Sequence, residues 1–373
     1  MCIRDSLGLC GLFRQHRIFT ESGDALEARI VNLYELSARL LFDTHPLDQG
    51  AIVARDDPRQ VHLVVMGFGQ MGESVVLQAA RIGHFANGRR LRLTVVDRDA
   101  EARRRRLLRR YPQFERVCDI AFVRGDCDES ETARAVAGWA GESEAVTSVA
   151  VCFDDDARSL SCALSLLSEL GEARAAIYVR MGEDAGLAKL VEASSSAVAW
   201  AGQVHAFGMI GRVCTRAVLL GEALDRLARA IHERYVAQRR AAGASADDPA
   251  VASWDRLPEH LRESNRQQAD HIAVKLRALG CTSAPPETGR EPVEAFTDGE
   301  VELLARMEHA RWNAGRFLAG WTPGPRDPDR KTTPFLVPYD QLPGDIQAYD
   351  REAVRQIPAL LALIGERVYR RRP

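Results

Sequence analysis

The chain has 373 residues, enough for two domains of ordinary size, and its 46% hydrophobic and 27% charged residues are typical of a globular protein. Its formal net charge of −2 gives no general attraction to nucleic acid, so we expect no nucleic-acid partner. The eight cysteines form no CxxC pair, and none has a histidine at zinc spacing. This pattern predicts reduced thiols, no metal site and a cytoplasmic location.

Residues 1–60 are predicted to form an N-terminal segment that precedes the first domain. An amphipathic helix is expected over 24–45, because leucines recur at helical spacing until His45-Pro46 ends the pattern. Leu7–Phe13 is an apolar run followed by basic residues, and it is too short to span a bilayer. Two interpretations stay open for it: a frayed N-terminus, or the end of an upstream membrane helix that holds the protein at the inner face of the cell membrane.

Residues 61–205 alternate between short β-rich runs and helical stretches. Strands are predicted at Val61–Met66, Leu91–Val96, Ile120–Val123, Ser148–Phe153 and Ala176–Val179. This alternation predicts an α/β domain, a Rossmann-like doubly wound parallel sheet with helices on both faces.

A phosphate-binding loop is predicted where the first strand ends. It consists of Gly67, Phe68, Gly69, Gln70, Met71 and Gly72. A GxGxxG between a strand and a helix allows a tight turn and a close approach to a pyrophosphate at the helix N-terminus. Asp97 closes the second strand, where its carboxylate would accept hydrogen bonds from ribose hydroxyls. Arg98 would contact a 2′-phosphate or stack on adenine, so NAD(H) leads, and NADP(H), ATP and AMP remain alternatives.

These residues resemble the N-terminal lobe of the regulators of potassium conductance, the RCK or TrkA-N family. Further points of likeness are Gly125-Asp126, the acidic turn Asp154–Asp156 and Arg180. The resemblance implies a nucleotide beside Asp126, paired copies of the chain, and ligand-dependent regulation of an ion channel or transporter, potassium foremost.

Other interpretations of these acidic residues stay open. Asp126 has Glu129 at the spacing of a helix capping box, and consecutive aspartates such as Asp154–Asp156 commonly cap a helix. The chain also departs from the family pattern in two places, an insertion at His84–Arg90 and a long segment at Asp97–Arg116.

Residues 206–250 are predicted to form a linking and dimerisation helix. Its apolar seam consists of Ile210, Val213, Ala217, Leu220, Leu224, Leu227 and Ile231. A seam with this 3-4 spacing packs against another helix, either in a second copy of the chain or in the same chain.

Residues 251–373 are predicted to form a mainly α-helical domain. Helices are expected near Glu259–Leu279, Asp298–Leu318 and Tyr349–Leu363. The motif Glu308-His309-x-x-Trp312, followed by Gly320-Trp321 and by Lys331 before Val337-Pro338-Tyr339, resembles the repeat domain of ryanodine receptors (RyR), also found in bacterial proteins. The resemblance covers about 254–362.

A ligand site is expected in this second domain. Its candidate residues are Asn265, Arg266, Glu308, His309, Trp312, Trp321, Lys331 and Tyr339. Cations beside aromatic rings suit a small anionic ligand with a flat ring, such as a nucleotide. The alternative is that the tryptophans pack in the core and that Glu308 and His309 satisfy each other.

The sequence contains no GxSxG, HExxH or Walker A motif, so we expect no catalytic residues. The resemblances together favour a ligand-sensing regulator. An NAD(P)-dependent oxidoreductase is the runner-up, and a soluble nucleotide sensor in a stress or defence system is a third possibility.

Overall fold

The structure, a computed structural model, describes residues 31–371 except for a few short stretches. The stretches left out within that range are 52, 172, 174, 184–185, 187, 190–202, 220–223 and 246. The apolar run Leu7–Phe13 and the start of the helix expected over 24–45 therefore lie outside the described residues. Among the residues that are described, no helix is long and apolar enough to cross a membrane.

Six parallel strands form one sheet in the order β3-β2-β1-β4-β5-β6. They are β1 Gln60–Met66, β2 Arg92–Asp97, β3 Asp119–Arg124, β4 Ala145–Val151, β5 Ala176–Arg180 and β6 Val204–Phe207. All five expected strands are present, and the Rossmann-like α/β fold class is confirmed. The short edge strand β6 was not expected, and it straddles the boundary placed between residues 205 and 206.

The central strands form because their side chains are apolar on both faces. In β1, Leu63, Val64 and Val65 are completely buried, and β2 and β4 are buried along most of their length. Parallel strands covered by helices on both faces carry such continuous β-branched runs instead of an alternating pattern. The in-register pairing brings the carboxyl ends of β1, β2 and β4 to one edge of the sheet.

Helices flank this sheet in the order expected of a doubly wound fold. They are α1 Leu33–Thr44, α2 Gln70–Ile82, α3 Ala100–Arg110, α4 Ser130–Ala140 and α5 Asp156–Leu170. Glu73 in the first turn of α2 is buried and pairs with Arg106 and Arg110 of α3. This pairing fixes the two helices that border the phosphate loop.

The described residues do not form the single helix expected over 206–250. They contain two single-turn helices, α6 Ile210–Val213 and α7 Arg216–Leu219, and then α8 Arg226–Ala241. Between the first two, the hydroxyl of Thr215 accepts the N–H of Val218 and so begins a new helix.

The apolar seam is interrupted at the same places. Val213 and Ile231 are buried within the protein's own core, and Leu220 lies outside the described residues. Leu224 and Leu227 are half-buried, whereas Ile210 and Ala217 are exposed, so the described part of the seam packs only partly within the chain.

The C-terminal region is mainly helical, as expected. Its elements are α9 Glu259–Asp270, α10 Ile272–Ala278, β7 Cys281–Ala284, α11 Asp298–Leu318, β8 Thr322–Pro323, β9 Thr332–Thr333, α12 Gly344–Arg355, α13 Ile357–Leu363 and β10 Arg367–Arg370. The expected bounds of α11 are correct, because Thr297 and Glu300 form a capping box at its start. The helix expected over 259–279 is divided at His271.

The C-terminal helices pack directly against the helices of the sheet domain. A single apolar core contains Val75 of α2 and Leu304 of α11. Beside it, the buried guanidinium of Arg39 lies 2.9 Å from Asp225 and 2.9 Å from Asp270. An uncompensated charge in such a place would be costly, so these pairs fix how the two parts of the chain meet.

Candidate nucleotide-binding site

Two of the three loop glycines are required by the fold itself. Gly67 has a φ of 87°, and a Cβ there would lie 2.8 Å from the ring of Phe153. A Cβ on Gly72 would lie 2.2 Å from the carbonyl oxygen of Gly67. Gly67 excludes a side chain because of its positive φ and the adjacent ring of Phe153, and Gly72 because helix and strand approach each other closely.

The third glycine has a different explanation. Gly69 has an ordinary φ of −77°, and a Cβ there would meet no atom within 4 Å. Packing therefore does not demand a glycine at this position. A bare backbone here leaves room for a group that approaches the N-terminus of α2 from outside the protein.

The other loop residues contribute backbone more than side chain. Phe68 is completely buried and packs edge-on against Phe122 at a centroid distance of 5.3 Å, and Met71 is also buried. Gln70 begins α2, whose first turn has N–H groups without partners inside the helix, as at any helix start. The expected contacts of Phe68 and Met71 with a ligand are thus limited to their peptide groups.

Asp97 lies where the sequence predicts it, at the carboxyl end of β2. One carboxylate oxygen accepts the N–H of Phe68 at 2.8 Å, and the other accepts the N–H of Asp99 at 2.9 Å. Its side chain retains about 10% exposure. The oxygen bonded to Asp99 also accepts a longer hydrogen bond from Arg103 at 3.4 Å. The backbone thus holds the carboxylate in one orientation, while the oxygen bonded to Phe68 keeps a lone pair for a further donor such as a ribose hydroxyl.

Asp126 lies opposite, held between two arginines. Its carboxylate pairs with Arg98, and its other oxygen lies 2.9 Å from a guanidinium nitrogen of Arg158. Burial by itself would raise the pKa of Asp126, but hydrogen bonds from Arg98 and the backbone of Asp128 hold it below its ordinary value. Asp126 does not cap α4 itself, because the N-cap position is occupied by Glu129.

A cleft of about 350 Å³ lies between these groups, over the carboxyl ends of β1, β2 and β4. The chain reverses direction across the sheet at this point, since β1 is flanked by β2 on one side and by β4 on the other. Ligands of doubly wound folds bind at such a crevice. Arg158 closes one wall of the cleft, where its guanidinium lies 4.4 Å from the ring centre of Phe153.

The acidic turn after β4 is a capping structure, one of the two interpretations left open. Asp155 is the N-cap of α5 and accepts the N–H of Arg158 at 2.6 Å. Asp156 accepts the N–H of Gly182 at 2.8 Å, and Asp154 pairs with Arg180. Asp154 and Asp155 nevertheless line the cleft and contribute negative charge to its edge.

The residues expected to bind a ligand in the C-terminal region are only partly brought together. Arg266 is engaged in ion pairs with Asp225 at 2.9 Å and Glu259 at 2.8 Å, and it lies over the ring of Trp254. Asn265 donates to the carbonyl of Leu261 one turn earlier. These ion pairs occupy the guanidinium of Arg266, so the predicted contact with a phosphate requires that at least one of them break.

Glu308 and His309 have structural partners as well. The buried carboxylate of Glu308 lies 2.6 Å from Lys275 and 2.6 Å from Arg311. Burial alone would raise the pKa of Glu308, but these two cations lower it to about 2. His309 bonds the carbonyl of Val337 at 2.8 Å, so it and Glu308 do not satisfy each other as a pair.

The two tryptophans do share a surface, through a residue that the sequence analysis missed. The guanidinium of Arg316 lies 5.2 Å from the ring centre of Trp312 and 4.5 Å from that of Trp321. Arg316 is one turn after Trp312 on α11, and that spacing was visible in the sequence. Exposed Lys331 donates to the carbonyl of Ala319 near this cluster, whereas Tyr339 is buried and donates to Glu302.

Comparisons with known proteins bear on the two parts of the chain differently. Residues 291–370 match the RyR domain family, which confirms the resemblance of the C-terminal region over that range. The crystal structure of GsuK bound to ADP is similar to this chain with 18% identity and a TM-score of 0.34, over 58% of this chain and 44% of the GsuK chain. The similar region thus spans less than half the length of the GsuK chain. No curated protein matches the sequence.

Proposed function

We propose that the chain is a nucleotide-sensing regulatory protein of an ion channel or transporter, potassium foremost. Its ligand in this proposal is an adenine nucleotide at the glycine loop, with NAD(H) as the first choice and NADP(H), ATP or AMP as alternatives. The observation that carries the proposal is the path of α2, which begins at the loop and contacts the C-terminal region through its second half.

Three polar contacts define that path. Gln78 in the middle of α2 donates to Asp270 at 2.9 Å, and Arg81 near its end pairs with Glu263 at 3.3 Å. Just beyond the helix, the carbonyl of His84 bonds the ring of His271 at 2.9 Å. A ligand that shifts the N-terminus of α2 therefore changes contacts with α9, and this is the differential interaction that regulation requires.

The cleft itself suits an adenosine moiety. Asp97 is oriented to accept the ribose hydroxyls, and Gly69 leaves space for the phosphates in front of α2. Arg98 and Arg158 present guanidinium planes that stack well on a base. The negative charge of Asp97 disfavours a 2′-phosphate, which supports NAD(H) over NADP(H).

An oxidoreductase remains the alternative function. The described residues that line the cleft include no histidine, lysine or tyrosine to exchange a proton with a substrate. A soluble sensor in a stress or defence system differs only in its partner. Through the family resemblance, the proposal includes attachment at the inner face of the membrane. It also includes self-association into a homodimer or larger oligomer, which light scattering of the purified protein tests.

Calorimetry of the whole chain with NAD(H), NADP(H), ATP and AMP tests nucleotide binding. Asp97→Ala removes charged hydrogen-bond acceptors, so we expect it to weaken binding by about 1–3 kcal/mol. Glu169→Ala is the matched control, because this exposed carboxylate lies in the last turn of α5, away from the cleft at the start of that helix. Absence of binding of all four nucleotides to the unaltered protein would refute the proposal.

Hydrogen exchange of the same complexes tests the regulatory part. Nucleotide should slow exchange in α2 and also in α9, because Gln78 and Arg81 connect the two helices. If nucleotide slows hydrogen exchange only at the loop, the chain binds nucleotide but lacks the proposed coupling to α9. Sustained turnover of NAD(H) in a steady-state assay would favour the oxidoreductase instead.

A further inference from the structure

A second cleft of about 340 Å³ lies where the sheet domain meets the C-terminal region. One wall is the turn His84–Arg90, and another is the short segment Phe114–Val117. The opposite wall is α11 together with the loop Leu336–Pro338. The first two walls belong to the insertion at His84–Arg90 and to the end of the long segment Asp97–Arg116, where the chain departs from the RCK pattern. These two segments thus form the surface on which the C-terminal region packs.

This cleft is positively charged. Three arginines line it, Arg89, Arg90 and Arg116, and its lining among the described residues includes no acidic side chain. Arg90 pairs with Asp119 at 3.0 Å, whereas no ion pair of Arg89 or Arg116 occurs in the described part of the chain. Two exposed guanidinium groups are therefore available to an anion.

The inner surface of the cleft is aromatic and apolar. Phe85 and Phe317 line it, with Leu336 beside them, and the guanidinium of Arg116 lies 4.9 Å from the ring centre of Phe317. Phe317 is only 9% exposed and Arg116 lies over its ring, so a flat ring in the cleft would lie beside this pair and close to a cation. Pockets for small ligands commonly combine such an apolar floor with a few polar groups.

One polar group of the cleft lacks a partner. The amide nitrogen of Asn313 donates to the carbonyl of Val337 at 3.0 Å, which fixes the orientation of the amide. Its oxygen is buried and has no hydrogen-bond partner among the described residues. A buried unsatisfied acceptor is uncommon in folded proteins, and a donor on a ligand would satisfy it.

We propose that this cleft binds a small anion with one flat ring, of the chemical class of a nucleoside monophosphate or an aryl phosphate. Arg89 and Arg116 take the phosphate, the ring lies beside the Arg116–Phe317 pair, and Asn313 accepts from a donor on the ligand. The site goes beyond the nucleotide site at the glycine loop and shares none of its residues. Since its walls come from both parts of the chain, occupancy strengthens their contact.

Titration calorimetry of the whole protein with phenyl phosphate, AMP and inorganic phosphate tests this site. We expect Arg116→Ala to raise the dissociation constant of the ring-bearing probes at least tenfold, and the Arg89→Ala, Arg116→Ala double variant to raise it further. Both arginines are exposed, so the core stays intact, and an unchanged melting temperature checks this. Arg326→Ala, an exposed arginine outside the cleft, is the matched control.

The outcomes separate this site from the glycine loop. Arg158→Ala changes the first cleft only, so phenyl phosphate binding that is lost in Arg158→Ala but kept in Arg116→Ala overturns the proposal. Inorganic phosphate that binds as tightly as both ring-bearing probes also overturns it.

AMP binding tighter than phenyl phosphate, and weakened by both Arg116→Ala and Asn313→Ala, supports the site with a nucleotide ligand. Tighter phenyl phosphate, weakened by Arg116→Ala, supports it with an aryl ligand.

Discussion

The glycine-loop cleft and the C-terminal region were both expected to bind ligands. The charged residues of the first border a cavity, whereas those of the second are buried in ion pairs. At the loop, Asp97 and Arg98 also form ion pairs, but they border an open cleft of about 350 Å³. In the C-terminal region, Arg266 and Glu308 are consumed by ion pairs with neighbouring helices. The same residue types thus serve a cavity in one region and the stability of the fold in the other.

The reason is the distance along the chain between the groups that must meet. The loop motif spans six consecutive residues, and Asp97 follows from the pairing of two adjacent parallel strands. The site expected in the C-terminal region depended on how α9 and α11 pack, which no local pattern specifies. Arg266 faces Asp225, more than 40 residues earlier in the chain, and sequence spacing gave no sign of that partner.

The largest expected effect comes from the buried charges of the C-terminal region. Glu308→Gln leaves Lys275 and Arg311 without their shared carboxylate, and all three side chains are 5% exposed or less. Breaking such a buried pair typically costs about 3–5 kcal/mol in free energy of unfolding. Urea unfolding measures the loss, and Glu302→Gln, at a half-buried carboxylate, is the control with a smaller change.

A different result would restore the original expectation for this surface. If Glu308→Gln folds with nearly unchanged stability but no longer responds to a nucleotide, the carboxylate contacts a ligand. The contrast between the two regions would then be wrong.

The contact between the two regions should also be sensitive to acid. His84 and His271 lie at this contact, with ring centroids 5.9 Å apart. Burial lowers the pKa of His84 to about 4, and burial together with nearby Lys275 and His84 lowers the pKa of His271 well below its ordinary value. Arg311 opposes protonation of both rings.

The sign follows from proton uptake. Between pH 6.5 and about 4 the unfolded chain binds a proton at His84 and the folded chain does not, so stability is full above pH 6.5 and falls on acidification, and the lowered pKa of His271 acts in the same direction. For His84 alone the slope is about 1.4 kcal/mol per pH unit, which amounts to a loss of about 2 kcal/mol at pH 5. Urea unfolding at pH 7.5 and 5 measures this, and His271→Gln should reduce the difference. An equal loss in that variant would assign the acid sensitivity to other groups.

The sequence predicts single helices and strands better than it predicts contacts between residues distant in the chain. Apolar runs located β1 to β5, and the capping box at Thr297 located the start of α11, because these signals are local. The break in the helix at Thr215 was not predicted, because the regular spacing of the apolar residues indicated one continuous helix. The hydroxyl of Thr215 instead accepts a backbone hydrogen bond and starts a new helix. The second cleft was also out of reach, because Arg116 and Phe317 meet only through tertiary packing.

The smallest expected effect tests whether the open cleft at the loop is used. Gly69→Ala adds a methyl group where no protein atom lies within 4 Å, and its φ of −77° suits alanine. The free energy of unfolding should therefore change by less than about 1 kcal/mol, the scale of a helix N-cap substitution. The same methyl group would occupy the approach to α2 that a pyrophosphate needs, so we expect nucleotide affinity to fall about tenfold, or about 1.4 kcal/mol. Calorimetry and urea unfolding on one preparation measure both quantities, with Gly138→Ala on α4 as the control, because a Cβ there also meets open space. Unchanged affinity in Gly69→Ala would mean that the phosphates do not pass over this glycine, and the nucleotide would have to enter the cleft from the side of Asp126 instead.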